Sequence, residues 1–137
     1  MGTYLSTPVL DKCWEEGEDY EGSTPVAWGV VDMQGWRKSM EDAHIVQTNI
    51  PSPSSTTKDG GESSSGNDEG KSGRSQMFAV FDGHGGAEVA RFCQLYMVDV
   101  LTRQQEWIGE NADVDVGKAL VNCFHSIDDL LRDQNRR

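Results

Sequence analysis

Residues 77–86 read MFAVFDGHGG, and the fold turns on this stretch. Met77–Phe81 is a short, unbroken apolar run, which suits a strand buried on both faces. Gly83-His84-Gly85-Gly86 is a backbone-permissive turn. Asp82 stands where the hydrophobic strand emerges, a rigid position on the rim where ligands bind. Beyond the glycines the period changes. Val89, Phe92, Cys93, Tyr96, Met97 and Val100 recur at helical spacing, so a helix follows, with Cys93 and Met97 in its core-facing stripe.

Upstream, Val26–Met33 and Ala43–Ile50 are rich in β-branched residues and predict two further strands. Downstream, a second helix starts near Asp113 or Asp115, either a suitable N-cap. Its predicted apolar face is Val116, Leu120, Phe124, Ile127 and Leu131, and no Gly or Pro stops it before Arg136-Arg137. Residues 1–25 hold six acids and one base, Lys12, without clear periodicity, and read as an acidic arm, extended or loosely ordered. Residues 51–76 contain eight Ser, five Gly and two Pro, with no aliphatic or aromatic side chain. Such a segment cannot bury enough apolar surface to offset the entropy of ordering it, which predicts a disordered loop. Two strands, a loop, a strand and two helices make a marginal core. The order therefore implies a portion of a larger α/β domain, with residues 26–137 as its foldable part.

The whole chain has 137 residues, the size of one small domain. Its 23 acids against 12 bases give a formal charge of −11, which argues against a nucleic-acid surface. No apolar run reaches the ~18 residues of a membrane span. The first residues lack the basic stretch and apolar core of a secretory signal, so a secreted protein is not expected. Cys13, Cys93 and Cys123 are odd in number and far apart, which excludes a self-contained disulfide framework and points to a reducing compartment. Gly70-Lys71-Ser72 looks like the end of a phosphate-binding loop, but Ser65 stands where that pattern needs glycine.

Two clusters carry candidate chemistry. Gln34-Gly35-Trp36-Arg37-Lys38-Ser39-Met40-Glu41-Asp42 places an arginine four residues before a carboxylate pair, between two predicted strands. Asp82-Gly83-His84-Gly85-Gly86 closes the third strand. Taken singly, each is ordinary: Asp-Gly is a common turn and Glu-Asp a common solvated pair. Together, carboxylates and the Gly83 carbonyl are ligands for a hard divalent cation, Mg²⁺ or Mn²⁺. If 39–43 is extended, Glu41 and Asp42 point to opposite faces, so one binds directly and the other through water. Arg37 can fork two N–H donors onto a phosphate. His84 can move a proton near neutral pH. His44 and His125 read as structural and surface residues. The joint chemistry is metal-assisted phosphoryl transfer.

The pattern resembles the metal-dependent protein serine/threonine phosphatases of the PP2C (PPM) family. MGTYLS at the start, MQGWRKSMEDAH at 33–44 and FAVFDGHGG at 78–86 look like that family's opening motifs, in its order. The resemblance implies an α+β fold, part of an α-β-β-α sandwich of antiparallel sheets flanked by helices and incomplete in this chain. It implies Glu41, Asp42, Asp82 and Gly83 at a site for two Mg²⁺ or Mn²⁺ ions. Asp82 would bridge the ions, Gly83 would bind through its carbonyl and Asp42 through water. Arg37 would grip the substrate phosphate, and His84 would be the general acid for the leaving oxygen. The implied partners are phosphoprotein substrates. The family's downstream half supplies further aspartates, whereas Asp128-Asp129 and Asp133 here sit in a predicted helix and match no such motif. A non-catalytic regulatory or binding fragment is thus the alternative reading.

Met1–Ser6 also fits the myristoylation pattern M-G-x-x-x-[ST], with Gly2 as acceptor. One acyl chain without a basic second signal gives at most reversible membrane contact. The expected location is cytoplasm or nucleus, with peripheral membrane contact as an option.

Overall fold

A computed structural model describes residues 4–20, 25–51, 74–109 and 114–134. Most of the polar segment 51–76, the acylation candidate Gly2, the alternative cap Asp113 and Arg136-Arg137 lie outside the described residues. The chain runs β1 (Tyr4–Asp19), β2 (Val26–Arg37), β3 (Ala43–Pro51), β4 (Arg74–Phe81), α1 (Glu88–Thr102), α2 (Gln105–Ile108) and α3 (Val116–Gln134). The class is α+β, with two antiparallel two-stranded sheets, β1-β2 and β3-β4. No helix among the described residues is long and apolar enough to cross a membrane. The described residues fall into two compact units, one within 1–46 and 78–94, the other within 47–77 and 95–137.

The expected strands are present, and β2 runs on through Arg37. Its side chains alternate, with Val26, Trp28, Val30 and Asp32 half-buried and their neighbours exposed, the period of a one-sided sheet. β1 gives the extended alternative of the sequence reading a definite form. Within the acidic 1–25 stretch, Tyr4–Asp19 is a long strand paired with β2 from Asp19↔Val26 to Tyr4↔Arg37. Its composition conceals it, because a mostly exposed strand needs no apolar alternation; its order comes from backbone pairing and cross-strand contacts. Gly17 faces Trp28 across the ladder, and the indole lies so close over it that a Cβ would collide with the ring.

The ladder is irregular near its far end. Between Val9↔Gly35 and Lys12↔Met33, three steps along β1 match two along β2, and Gly35 takes φ +67°. A bulge of this kind bends and twists the strand beyond it. Here the extra residue lies on β1, opposite the stretch of β2 that leads to Arg37.

β4 corrects an expectation. It is not buried on both faces, since Phe78 is 48% and Val80 74% exposed. Two-sided burial needs layers over both faces of a wide sheet, and this sheet has two strands among the described residues.

Both long helices are present, and Met97 and Ile127 are buried as expected, while other members of each expected stripe are exposed. On α1 the buried residues are Ala90, Met97 and Leu101, while Val89 and Tyr96 are exposed. Gln94 is half-buried and donates from Nε2 to the His44 carbonyl at 2.7 Å. Hydropathy passes over an inward-facing alanine and an amide that finds a partner. On α3 the buried line is Ala119, Cys123 and Ile127, while Val116 and Phe124 are exposed. Cys123 Sγ donates to the Met97 carbonyl at 3.5 Å. The cap is Asp115, whose Oδ1 accepts the Lys118 N–H at 2.9 Å.

The short α2 was not predicted from periodicity. Gly109, at φ +72°, ends it by donating its N–H to the Gln105 carbonyl at 2.8 Å. Trp107 is buried there, and its Nε1–H reaches the Pro51 carbonyl at 3.0 Å. The fixed ends of the polar segment thus belong to ordered strands, with β3 reaching Pro51 and β4 starting at Arg74.

Candidate active site

The segment 38–42 follows the end of β2, beyond the point where β1 bulges opposite Gly35, and 82–87 follows β4. Neither is regular strand. They meet closely enough that a Cβ on Gly83 would overlap the backbone carbonyl of Glu41. Gly83 carries no positive φ, so its need for glycine is steric; Gly85 and Gly86 do, at +78° and +135°. The turn is therefore glycine-rich for two reasons, close approach and left-handed backbone.

The result is a polar cleft of about 200 Å³ lined by Arg37, Ser39, Glu41, Asp42, Asp82 and Gly83, with Met33, Gln34 and Met40 completing its wall. Glu41 Oε2 accepts the Gly86 N–H at 3.2 Å, and Asp42 Oδ1 accepts the Gly83 N–H at 3.3 Å. This differs from the extended reading, in which Glu41 and Asp42 face opposite ways. The chain bends at Lys38-Ser39 and is irregular to Asp42, so strand alternation does not apply. Both carboxylates instead serve one glycine turn.

Glu41 is further held by Ser39, whose hydroxyl donates to Oε1 at 2.8 Å. That bond is the first reason its carboxyl lies below the ordinary carboxylate range. The Gly86 N–H adds to it, burial works against it, and the Gly85 N–H and the Arg37 charge contribute less. Gln34 Nε2 donates to the Arg37 carbonyl at 2.9 Å, which pins the backbone from which the guanidinium extends.

Five of the residues singled out from sequence therefore line one cleft: Arg37, Glu41, Asp42, Asp82 and Gly83. His84 is exposed and lies outside that lining. His44 has Nδ1 4.0 Å from Asp32 Oδ2, consistent with a structural place, and His125 is exposed. Asp129 pairs with Arg132 at 3.0 Å on α3. Sequence reasoning placed Ser39 and Gln34 in the first cluster but gave neither a role. The available signal was local, a hydroxyl two residues from a carboxylate in a non-helical, non-strand stretch, where such side chains make short-range bonds.

The donor chemistry fits a hard divalent cation, with three carboxylates and a backbone carbonyl at one polar cleft. Among the described residues, no three His, Cys, Asp or Glu side chains converge closely enough to hold a metal ion. The cleft is not a closed cage.

Comparison with known proteins identifies the family. The family profile for Protein phosphatase 2C matches residues 26–137, spanning both cleft segments. The chain is 34% identical over 134 residues to Probable protein phosphatase 2C 11 of Oryza sativa, covering 98% of this chain and 29% of the relative. It is 36% identical over 134 residues to Protein phosphatase 2C homolog 2 of Saccharomyces cerevisiae, with 97% and 24% covered. It is 37% identical over 131 residues to human Protein phosphatase 1G, with 96% and 19% covered. The chain spans less than a third of the length of these relatives. A match that runs from β2 through both arms of the cleft to the end of α3 leaves one assignment: the chain belongs to the protein phosphatase 2C family.

Proposed function

We propose that the chain supplies the N-terminal part of a metal-dependent phosphatase that hydrolyses phosphoserine and phosphothreonine in proteins. One observation carries this reading. Two segments some forty residues apart, each with an unremarkable motif alone, meet at a single cleft lined by Arg37, Glu41, Asp42, Asp82 and Gly83. Family membership supports the same chemistry.

In this reading Glu41 and Asp82 bind Mg²⁺ or Mn²⁺ directly, the Gly83 carbonyl adds a neutral ligand, and Asp42 works through an intervening water. When bound, two such ions supply an activated water for in-line attack at phosphorus. Arg37 neutralises charge on the phosphoryl oxygens and orients the group, being the cation at the cleft with a planar two-donor fork. His84, at the exposed edge of the glycine turn, delivers a proton to the departing serine or threonine oxygen.

The test is Mn²⁺-dependent release of phosphate from a phosphoserine peptide by the full-length protein. Asp82→Asn keeps the shape and removes the charge, and activity falls to the metal-only background. Near-normal activity in that variant would remove the metal assignment. A second reading, a regulatory fragment without turnover, is favoured by the lack of a converged three-ligand cluster among the described residues. It predicts phosphopeptide binding without hydrolysis.

A further inference from the structure

We propose that Ser39 is a positioning residue for the metal site, acting through Glu41. The inference rests on the reading above, in which Glu41 is a metal ligand, and adds a residue which that reading does not use.

The Glu41 carboxylate is held at both oxygens. Ser39 Oγ donates to Oε1 at 2.8 Å, and the Gly86 N–H donates to Oε2 at 3.2 Å. One tether is local, two residues back along the chain; the other comes from the glycine turn 45 residues on. Two carboxylate oxygens offer about four lone-pair sites, more than the Ser39 and Gly86 donors and the lesser Gly85 contribution take up. Ser39, Glu41 and Asp82 all line the same cleft. The two tethers therefore fix the rotation of a long, rotamer-rich side chain while leaving lone pairs for a ligand in the cleft.

The glycine N–H alone cannot do this. Gly86 anchors Oε2 at 3.2 Å and the Gly85 N–H adds a smaller contribution, whereas the close donor to Oε1 is Ser39 at 2.8 Å. The Ser39 hydroxyl supplies the second point that defines a plane. Ser39 touches no ion and no substrate in this scheme. Its effect is on where Glu41 stands before anything binds, as for hydrogen-bond partners that orient ligands at metal sites.

The experiment uses the 137-residue chain with Mn²⁺ alone as probe, followed by broadening of the Gly83 and Gly86 amide NMR signals. Ser39→Ala raises the Mn²⁺ concentration for half-broadening by about tenfold. Ser39→Thr, which keeps a hydroxyl, leaves that midpoint unchanged. In both variants the amide signals outside the cleft stay where they are, so a change in the midpoint is not a change of fold. Glu41→Gln serves as the reference and weakens Mn²⁺ at least as much as Ser39→Ala. If Glu41→Gln weakens Mn²⁺ and Ser39→Ala does not, the positioning role is overturned and the metal reading of Glu41 stands. Equal losses in Ser39→Ala and Ser39→Thr also overturn it, since the hydroxyl is then not the cause. An unchanged midpoint in Glu41→Gln removes the metal reading of Glu41 and the role of Ser39 with it.

Discussion

The cleft depends on one residue having no side chain. Gly83 lies against the Glu41 carbonyl, and an alanine Cβ there would overlap that backbone rather than a movable side-chain tip. Its φ needs no glycine, so Gly83→Ala tests close approach alone, free of left-handed strain. The two segments must then separate, stretching the Asp42–Gly83 and Glu41–Gly86 bonds already at 3.3 and 3.2 Å. Forced overpacking of this kind costs about 1–3 kcal/mol. Denaturant unfolding of Gly83→Ala should show a loss of that size, along with loss of hydrogen-exchange protection at the Gly83 and Gly86 amides. Unchanged stability and protection would mean that the turn yields without cost. Arg37 depends on its neighbours in a different way. A bulge opposite Gly35 and the Gln34 amide on the Arg37 carbonyl fix the end of β2 from which it extends.

At the scale of elements, sequence and structure agree best where the signal is local and strong. The apolar runs at 26–33, 43–50 and 77–81 are strands, and the Asp82–Gly86 turn sits where a strand ends. The two clusters that form the cleft were legible because glycine, carboxylate and arginine are chemically distinctive. As a paired strand, β1 was not legible. Its pairing with β2 is a relation between segments, and an exposed acidic strand shows no period of its own. The helix stripes were legible in part: Met97 and Ile127 are buried as expected, while Ala90, Ala119, Cys123 and a hydrogen-bonded Gln94 also face inward and Val89, Tyr96, Val116 and Phe124 do not. The short α2 also escaped notice, though its packing is specific. Glu106 meets Lys118 of α3 at 3.4 Å, and its carbonyl accepts the Asp115 N–H at 3.1 Å. The Glu106 carboxyl lies below its ordinary value, first through its own backbone N–H, then through the Asn122 amide and Lys118, against opposition from burial. A carboxyl depressed by folding adds stability that is present above its unfolded pKa of 4.5 and lost as pH falls through the folded value. Glu106→Gln should therefore lower the thermal midpoint at neutral pH. The gap from the parent should close as pH drops below 4.5. A gap that persists or widens in acid would place the effect elsewhere than the Glu106 charge.

At the scale of the whole molecule, the question is whether 137 residues suffice for turnover. Three carboxylates line the cleft, and no three ligating side chains converge among the described residues. Two dications held ~4 Å apart repel by about 4 kcal/mol even in bulk water, and by more where water is excluded. A two-ion site must offset that repulsion with carboxylates fixed around both ions. Here Glu41 and Asp42 already spend lone pairs on the glycine turn. The scaffold is also thin. Each sheet has two strands among the described residues, and two-stranded sheets are marginal alone. Large apolar side chains stand open, with Trp14 66%, Val31 65%, Val80 74% and Leu95 70% exposed. Apolar surface of this extent goes with association and with loosely held ligands. The chain expressed alone should therefore bind Mn²⁺ weakly, tend to associate despite a charge of −11, and release no phosphate above a metal-only control. The measurement is phosphate release from a phosphoserine peptide with Mn²⁺, beside light scattering of the same sample. Clear Mn²⁺-dependent turnover that Asp82→Asn abolishes would mean that two ions can be held by Glu41, Asp42, Asp82 and the Gly83 carbonyl alone. The negative charge at the cleft would then have to be completed by the Arg37-bound phosphate rather than by further carboxylates.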